Sequence, residues 1–327
     1  MHFFSKMVDN ICISVKNVVI LQAEKNNFMK SFVVNHCTIT PVRQEPSEGS
    51  EQLTQLLFGE VCEVLDRLPR WTKIRSTEDG QEGWVDFKML SPTDTQYPIS
   101  NTRYPISDTQ YPISDTQYPI SDTRTTDTRT TVAVPMAIAT AMDTGEELML
   151  TLGTRLPQYA HGTFEVLGKQ YLIDPAYVSM PISNSPSGRP IGGTPFDNHN
   201  VCAIAQTLLN APYLWGGKNA MGMDCSGFTQ VVYSVFDIHL LRNAREQITQ
   251  GVLVPSLAEA QAGDLAFFDH ADRDPNATNI SHVGILLDNK KIIHCSGCVH
   301  VDDIDEMGIH LASGELTHHL VQIKRYL

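Results

Sequence analysis

Four near-identical seven-residue units, DTQYPIS, NTRYPIS, DTQYPIS and DTQYPIS, followed by two degenerate DTRTT copies, occupy residues 94–131. A heptad period alone would suit a coiled coil. Each full unit, however, carries a proline, which removes a backbone donor and clashes with the preceding helical turn. No continuous helix can run through this stretch, so every compact core must form before it or after it. Polar and regularly interrupted, residues 93–131 read as an extended, solvated insertion rather than as a binding motif.

The 327 residues allow two or three compact domains around that insertion. Between 30 and 92 the chain alternates in short runs, EVCEVLDR, WTKIRS and EGWVDF, parted by turn residues, as in a small barrel. Residues 132–182 resume the same pattern in ELMLTL, GTFEVL and KQYLI, which predicts a second small barrel. SNSPSGRPIGGTP at 183–195 is a linker, crowded with Ser, Pro and Gly. The character then changes. Across 196–327, helical stretches near 198–210 and 226–236 precede the strands DLAFF, SHVGILL and KIIHCS, which makes the chain α+β.

Composition narrows the partners. The formal net charge is −13 and no Lys/Arg block is present. Nucleic acid and anionic membranes need basic residues to displace counterions, so neither is an expected partner. No apolar run approaches the length of a membrane span. Residues 1–29 form an extension whose ICISVKNVVIL resembles the apolar part of a leader, but Lys16 and Asn17 interrupt it and no small-residue cleavage site follows. Met29 offers an alternative start. The seven cysteines are odd in number and scattered, which argues against a disulfide framework and for a reducing compartment. A cytoplasmic location is expected, with export as the alternative if the extension is a degenerate signal.

One of those cysteines stands apart. In MGMDCSGFTQVVYSVF, residues 221–236, Phe228, Val231, Val232 and Val235 mark one helical face and Asp224 stands at the N-cap. Cys225 follows at once, at the electropositive end of the helix. A helix N-terminus and a neighbouring imidazolium both stabilise a thiolate. His282 in ISHVGILL and His294 in KIIHCS can supply the imidazole. With a three-residue loop, Asp288-Asn289-Lys290, Leu287 faces Lys291 and the two histidines share a sheet face as diagonal neighbours. A two-residue loop would place them on opposite faces. The arrangement suits a base, His282, oriented by a second polar group, His294.

Blander readings compete with this. A buried helical cysteine is commonly a small hydrophobe, and a strand histidine is commonly structural. HCSGCVH at 294–300 also offers His294, Cys295, Cys298 and His300 in a spacing used for zinc or redox chemistry. No second ligand pair accompanies it, and four ligands on one strand and turn are awkward to converge. The conjunction of a helix-start cysteine with two strand histidines of matching parity favours nucleophilic catalysis.

APYLWGGKNAMGMDCSGFTQVVYSVF, LRNAREQ, AGDLAFF and ISHVGILLDNKKIIHCSG occur in the order in which NlpC-type, papain-like cysteine peptidases of bacterial cell-wall turnover carry their motifs. Residues 196–327 resemble that family throughout. The resemblance implies a triad of Cys225, His282 and His294, with no metal or organic cofactor. Two SH3-like barrels ahead of such a domain are similar to the YkfC-type γ-D-glutamyl-L-diamino acid endopeptidases, also called dipeptidyl-peptidase VI. That likeness implies murein (peptidoglycan) peptides with a free N-terminal L-Ala, such as L-Ala-γ-D-Glu-diaminopimelate, as substrates, and leaves the diamino acid open. In such enzymes the first barrel walls the cleft and an acidic residue reads the free amine; Glu60 in LLFGE stands in the corresponding place. Tyr213, Asp224, Ser226 and Arg242 match positions on the substrate side. Two departures bear on specificity. Gln81 replaces a tyrosine two residues before the GW pair, and Ala244 stands where a small hydroxyl residue is usual. The alternatives are a non-catalytic wall-binding protein built on SH3-like modules and a broader murein endopeptidase.

Overall fold

The structure, a computed structural model, describes residues 31–93, 130–179, 198–270 and 279–326. The N-terminal extension, the repeat at 94–129 and the linker at 183–195 lie outside the described residues.

The first unit is a seven-stranded antiparallel sheet. Its strands are β1 (Phe32–Asn35), β2 (Ile39–Arg43), β3 (Gln52–Leu57), β4 (Val61–Arg67), β5 (Trp71–Ser76), β6 (Glu82–Asp86) and β7 (Leu90–Thr93), in the order β3-β2-β6-β5-β4-β1-β7. Alternation does the folding here. Val33, Val42, Leu56, Cys62, Ile74 and Val85 fill one core, while Lys73, Arg75, Trp84 and Asp86 between them on β5 and β6 are only part-buried.

The second unit comprises β8 (Thr131–Val132), β9 (Met136–Ala141), β10 (Glu147–Thr151), β11 (Thr163–Val166), β12 (Lys169–Ile173) and β13 (Val178–Ser179). Four of these form the sheet β10-β9-β12-β11, and β8 pairs with β13. Val34 and Phe58 of the first unit join its apolar cluster, Phe58 lying edge-on to Tyr171 with ring centroids 5.6 Å apart. The two small sheets therefore share one seam.

The third unit begins with α1 (Asn198–Gln206) and the short pair β14 (Lys218–Asn219) and β15 (Gly222–Met223). Next come α2 (Cys225–Ser234), α3 (Ala244–Gln247), β16 (Val252–Val254), β17 (Leu265–His270), β18 (His282–Leu286) and β19 (Lys291–Ser296). β20 (Cys298–Ile304), β21 (Gly308–His310) and β22 (Leu316–Arg325) complete it. The strands run β16-β22-β17-β18-β19-β20-β21, and a further β21–β22 pairing closes six of them into a barrel, with α2 packed across β18 and β19. The architecture is α+β. Among the described residues no helix is long and apolar enough to cross a membrane.

Helix α2 shows where one-face reasoning stops. Phe228, Val231, Val232 and Val235 are buried as their spacing predicts, yet Thr229, Gln230 and Tyr233 are buried as well. The other faces are covered rather than solvated. Thr229 Oγ1 donates to Gln247 Oε1 at 2.9 Å, and Gln230 Nε2 donates to Asp79 Oδ2 of the first unit at 3.0 Å. Gly153 of the second unit packs on Val231 and Ser234 so closely that an added Cβ would meet Ser234 Oγ at 2.7 Å. The two small units thus help to cover the helix on the side away from the barrel strands.

Candidate active site

Cys225 is the first residue of α2, and its place is set by Asp224. That N-cap is extended (φ −91°, ψ 178°), and its Oδ1 accepts from the Gly227 amide at 2.7 Å. The same carboxylate takes the Gly216 amide on Oδ2 at 2.9 Å and a two-pronged contact from Arg242, Nη1 to Oδ1 at 3.0 Å and Nη2 to Oδ2 at 2.6 Å. Arg242 also donates to Ser226 Oγ at 3.0 Å and to Thr54 Oγ1 of the first unit at 2.7 Å. Ser226 Oγ in turn donates to Asp224 Oδ1 at 3.2 Å.

Asp224, Ser226 and Arg242 were expected on the substrate side. They form instead one buried, mutually satisfied network beneath the nucleophile, with Arg242 only 1% exposed. Their lone pairs and protons are already taken, so they hold the helix start and do not present charge to a ligand.

The paired histidines follow from the hairpin. Gly284 pairs with His294, Ile285 with Ile293 and Leu286 with Ile292, and the Leu287 amide donates to the Lys291 carbonyl at 2.9 Å. The loop is therefore Asp288-Asn289-Lys290, and Asp288 Oδ1 closes it by accepting the Lys290 and Lys291 amides. With that register His282 and His294 share a face, and His282 Nε2 lies 2.8 Å from His294 Nδ1. Gly284 makes the approach possible, since a Cβ there would sit 2.8 Å from His294 Cβ.

Asp302 extends the chain of contacts. Its Oδ2 lies 3.2 Å from His294 Nε2. A carboxylate can only accept, so the hydrogen-bond network assigns the His294 proton to Nε2 and leaves a lone pair at Nδ1. His282 then donates from Nε2 and is basic at Nδ1. Burial lowers the His294 pKa against the pull of Asp302, which keeps that imidazole neutral at neutral pH. Asp302 was not singled out from sequence, because only the β19–β20 register brings it to His294.

Cys225 itself is 7% exposed. Burial pushes its thiol up to about 12, and Asp224 adds to the rise; the Val283 and Ser226 amides and Arg242 pull the other way and lose. The helix start is thus not a ready-made thiolate site. Ionisation requires the proton to pass to an imidazole, giving an ion pair, and Val283, whose amide donates to the sulfur, directly follows His282. Tyr213, 37% exposed, sits near enough to Cys225 and Asp224 for their charges to add to the upward shift that burial gives its phenol. It is the expected substrate-side residue that keeps an open face.

Glu60 is placed elsewhere. Its Oε1 accepts from Lys218 Nζ at 2.7 Å, with both side chains nearly buried. The pair lines a small pocket between the three units, shared with Arg155 and Gln230 and touching none of Cys225, His282 and His294. Gln81 turns back on its own strand, Nε2 donating to the Glu82 carbonyl at 3.0 Å, and Ala244 is buried at the start of α3. The HCSGCVH residues do not converge as a set. Cys295 points away from His294 and donates to the Met223 carbonyl at 3.1 Å.

A thiol at a helix start, with a pair of histidines and a closing carboxylate on a six-stranded barrel that follows two small β units, can supply a sulfur nucleophile and its base. Residues 210–319 match the NlpC/P60 family and residues 40–91 match the bacterial SH3 domain, so the chain carries a bacterial SH3 domain followed by an NlpC/P60 peptidase-family domain. It is similar to the gamma-D-glutamyl-L-lysine dipeptidyl-peptidases of Bacillus cereus (25% identity over 74% of this chain) and Bacillus subtilis (29% over 74%). The matches span 66% and 71% of those proteins. The crystal structure of an NlpC/P60 family protein from Bacillus cereus superposes with a TM-score of 0.67 at 19% identity, covering 91% of this chain and all of that one, a likeness of fold.

Proposed function

We propose that this protein is a cysteine peptidase that hydrolyses the γ-D-glutamyl–diamino acid bond of murein peptides bearing a free N-terminal L-Ala, in the recycling of cell-wall peptides in the cytoplasm. The relay from Asp302 through His294 to His282, beside Cys225, carries the reading. His282 Nδ1 takes the thiol proton, and the sulfur attacks the γ-carbonyl of D-glutamate. The imidazolium so formed is stabilised through its Nε2–H by His294, which Asp302 holds in the accepting tautomer. His282 then protonates the leaving amine, and water, deprotonated by the same nitrogen, releases the acyl group. Amides at the start of α2 and the Tyr213 hydroxyl are the donors for the oxyanion. The relatives' names support the bond and the order of residues cleaved.

The test is incubation of the full chain, under reducing conditions, with L-Ala-γ-D-Glu-diaminopimelate and with its L-lysine counterpart, followed by mass spectrometry. Release of the L-Ala-D-Glu dipeptide from at least one is expected, and none after Cys225→Ala. Silence on both peptides would remove this assignment.

A further inference from the structure

The relay ends in a group of side chains larger than catalysis requires. His294 on β19 stands directly opposite His300 on β20, and Asp302 lies two residues beyond His300, so all three share one sheet face. Asp302 Oδ2 is 3.2 Å from His294 Nε2 and 3.1 Å from His300 Nε2, and the three atoms lie within 4.8 Å of one another. A tetrahedral ion with ligand bonds of about 2.0–2.1 Å sets its ligand atoms about 3.3 Å apart. Two of the three separations are already close to that, and the third is no more than 4.8 Å.

Orientation fits as well. A metal-binding histidine ordinarily has its other ring nitrogen engaged, which fixes the ring. His300 Nδ1 donates to the Cys298 carbonyl at 2.8 Å, and His294 Nδ1 is met by His282 Nε2 at 2.8 Å. With Nδ1 turned to that carbonyl, His300 presents Nε2 to the Asp302 carboxylate. His300 is about one-third exposed, which leaves a fourth coordination position open to water.

We propose that His294 Nε2, His300 Nε2 and Asp302 Oδ2 bind a divalent transition-metal ion of the zinc class, and that loading it switches the peptidase off. The second clause rests on the proposed function; the first does not. Metal at His294 Nε2 displaces a proton to solvent, and the coordinated neutral ring must carry its remaining proton at Nδ1. That proton comes from His282 Nε2, and His282 takes one from solvent at Nδ1. Two protons remain on two neutral rings, but His282 now faces the thiol with an N–H. It cannot accept the Cys225 proton, and a nearby dication disfavours the imidazolium.

The site is tested on the full chain carrying Cys225→Ala, so that the nucleophile cannot take metal. Calorimetric titration with Zn²⁺ and optical titration with Co²⁺ should show a bound equivalent that Cys225→Ala/His300→Gln lacks. The cobalt spectrum should be tetrahedral without sulfur-to-metal charge transfer, and metal-free melting curves should coincide. Equal stoichiometry in both variants, or a thiolate band, would overturn the site. For the switch, His300→Gln in the otherwise native chain should keep its metal-free turnover and need about tenfold or more zinc for the same inhibition. Equal sensitivity would mean that zinc acts at Cys225 and His282, and the switch would be wrong. Absence of turnover without metal would count against the peptidase reading while the binding result stood.

Discussion

Arg242 carries a permanent charge into a site that is 1% exposed, and what keeps it there is the Asp224 carboxylate at 2.6 Å. A broken buried pair costs far more than a surface one, because the remaining charge is left without solvent or partner. Arg242→Met should therefore lower stability by roughly 3–5 kcal/mol, read by urea denaturation. Asp224→Asn/Arg242→Met should recover part of that loss; a double variant as unstable as the sum of the singles would show that the pair is not coupled. Glu60 makes the opposite kind of residue-scale case. Burial pushes its carboxyl from the ordinary 4.5 up to about 7, against the pull of Lys218, and its Oε2 is buried without a hydrogen-bond partner among the described residues. Burial also acts to lower Lys218, but Glu60 and Asp79 outweigh it and hold the amine charged. A carboxyl raised on folding contributes stability that is fully present below the unfolded pKa and lost as pH rises through the folded one. Between about pH 4.5 and 7 the wild type should thus lose up to roughly 3 kcal/mol relative to Glu60→Gln. Parallel stability curves for the two proteins over that range would contradict the assignment.

At the scale of elements, the β18–β19 hairpin decides whether the histidines meet, and Gly284 is its tightest point. A methyl group there would lie 2.8 Å from His294 Cβ and 2.7 Å from Ile292 Cδ1. Gly284→Ala should push His294 off His282, lowering kcat more than it changes KM, at a stability cost of about 1–3 kcal/mol. Steady-state kinetics beside thermal melts would separate the two effects; a raised KM with unchanged kcat would mean that the methyl blocks substrate instead. This hairpin was legible in the sequence because parity and loop length are local properties. The apolar face of α2 was legible for the same reason. Its remaining faces were not, since nothing local to the helix shows that Asp79 and Gln247 cap Gln230 and Thr229. Asp302 escaped because strand β20 carries no signal of its own that pairs it with His294. Arg242 and Glu60 were assigned to substrate because a charged residue in a matching motif looks available. Their partners, Thr54 and Asp224 for one and Lys218 for the other, lie 18 to 188 residues away in the chain.

For the whole molecule, the question is what the first unit does to the cleft. Strand β3 lies against the loop that leads to the nucleophile. Gln55 Oε1 accepts from the Lys218 amide at 3.0 Å and from Asn219 Nδ2 at 2.7 Å, and Gln52 Nε2 donates to the Trp215 carbonyl at 3.0 Å. Gly216 (φ +72°) is obligatory at this seam, since a Cβ would meet the Gln52 carbonyl oxygen at 2.4 Å. A unit docked so closely upstream of Cys225 can wall the end of the cleft where an N-terminal residue would sit. If it does, the free amine of the substrate is read in a partly closed site, through a charge-assisted hydrogen bond worth roughly 1.5–3 kcal/mol. N-acetylation of the peptide should then lower kcat/KM by about one to two orders of magnitude. Glu60 is committed to Lys218, so Glu60→Gln should not imitate acetylation. Its effect and that of the acetyl group should multiply, as expected of sites that share no contact. Saturation, in which acetylation costs nothing further once Glu60 is changed, would return Glu60 to the substrate and require the Lys218 pair to open during turnover. Equal turnover of free and acetylated peptides would instead show a cleft open at that end, which is the property of a broader murein endopeptidase.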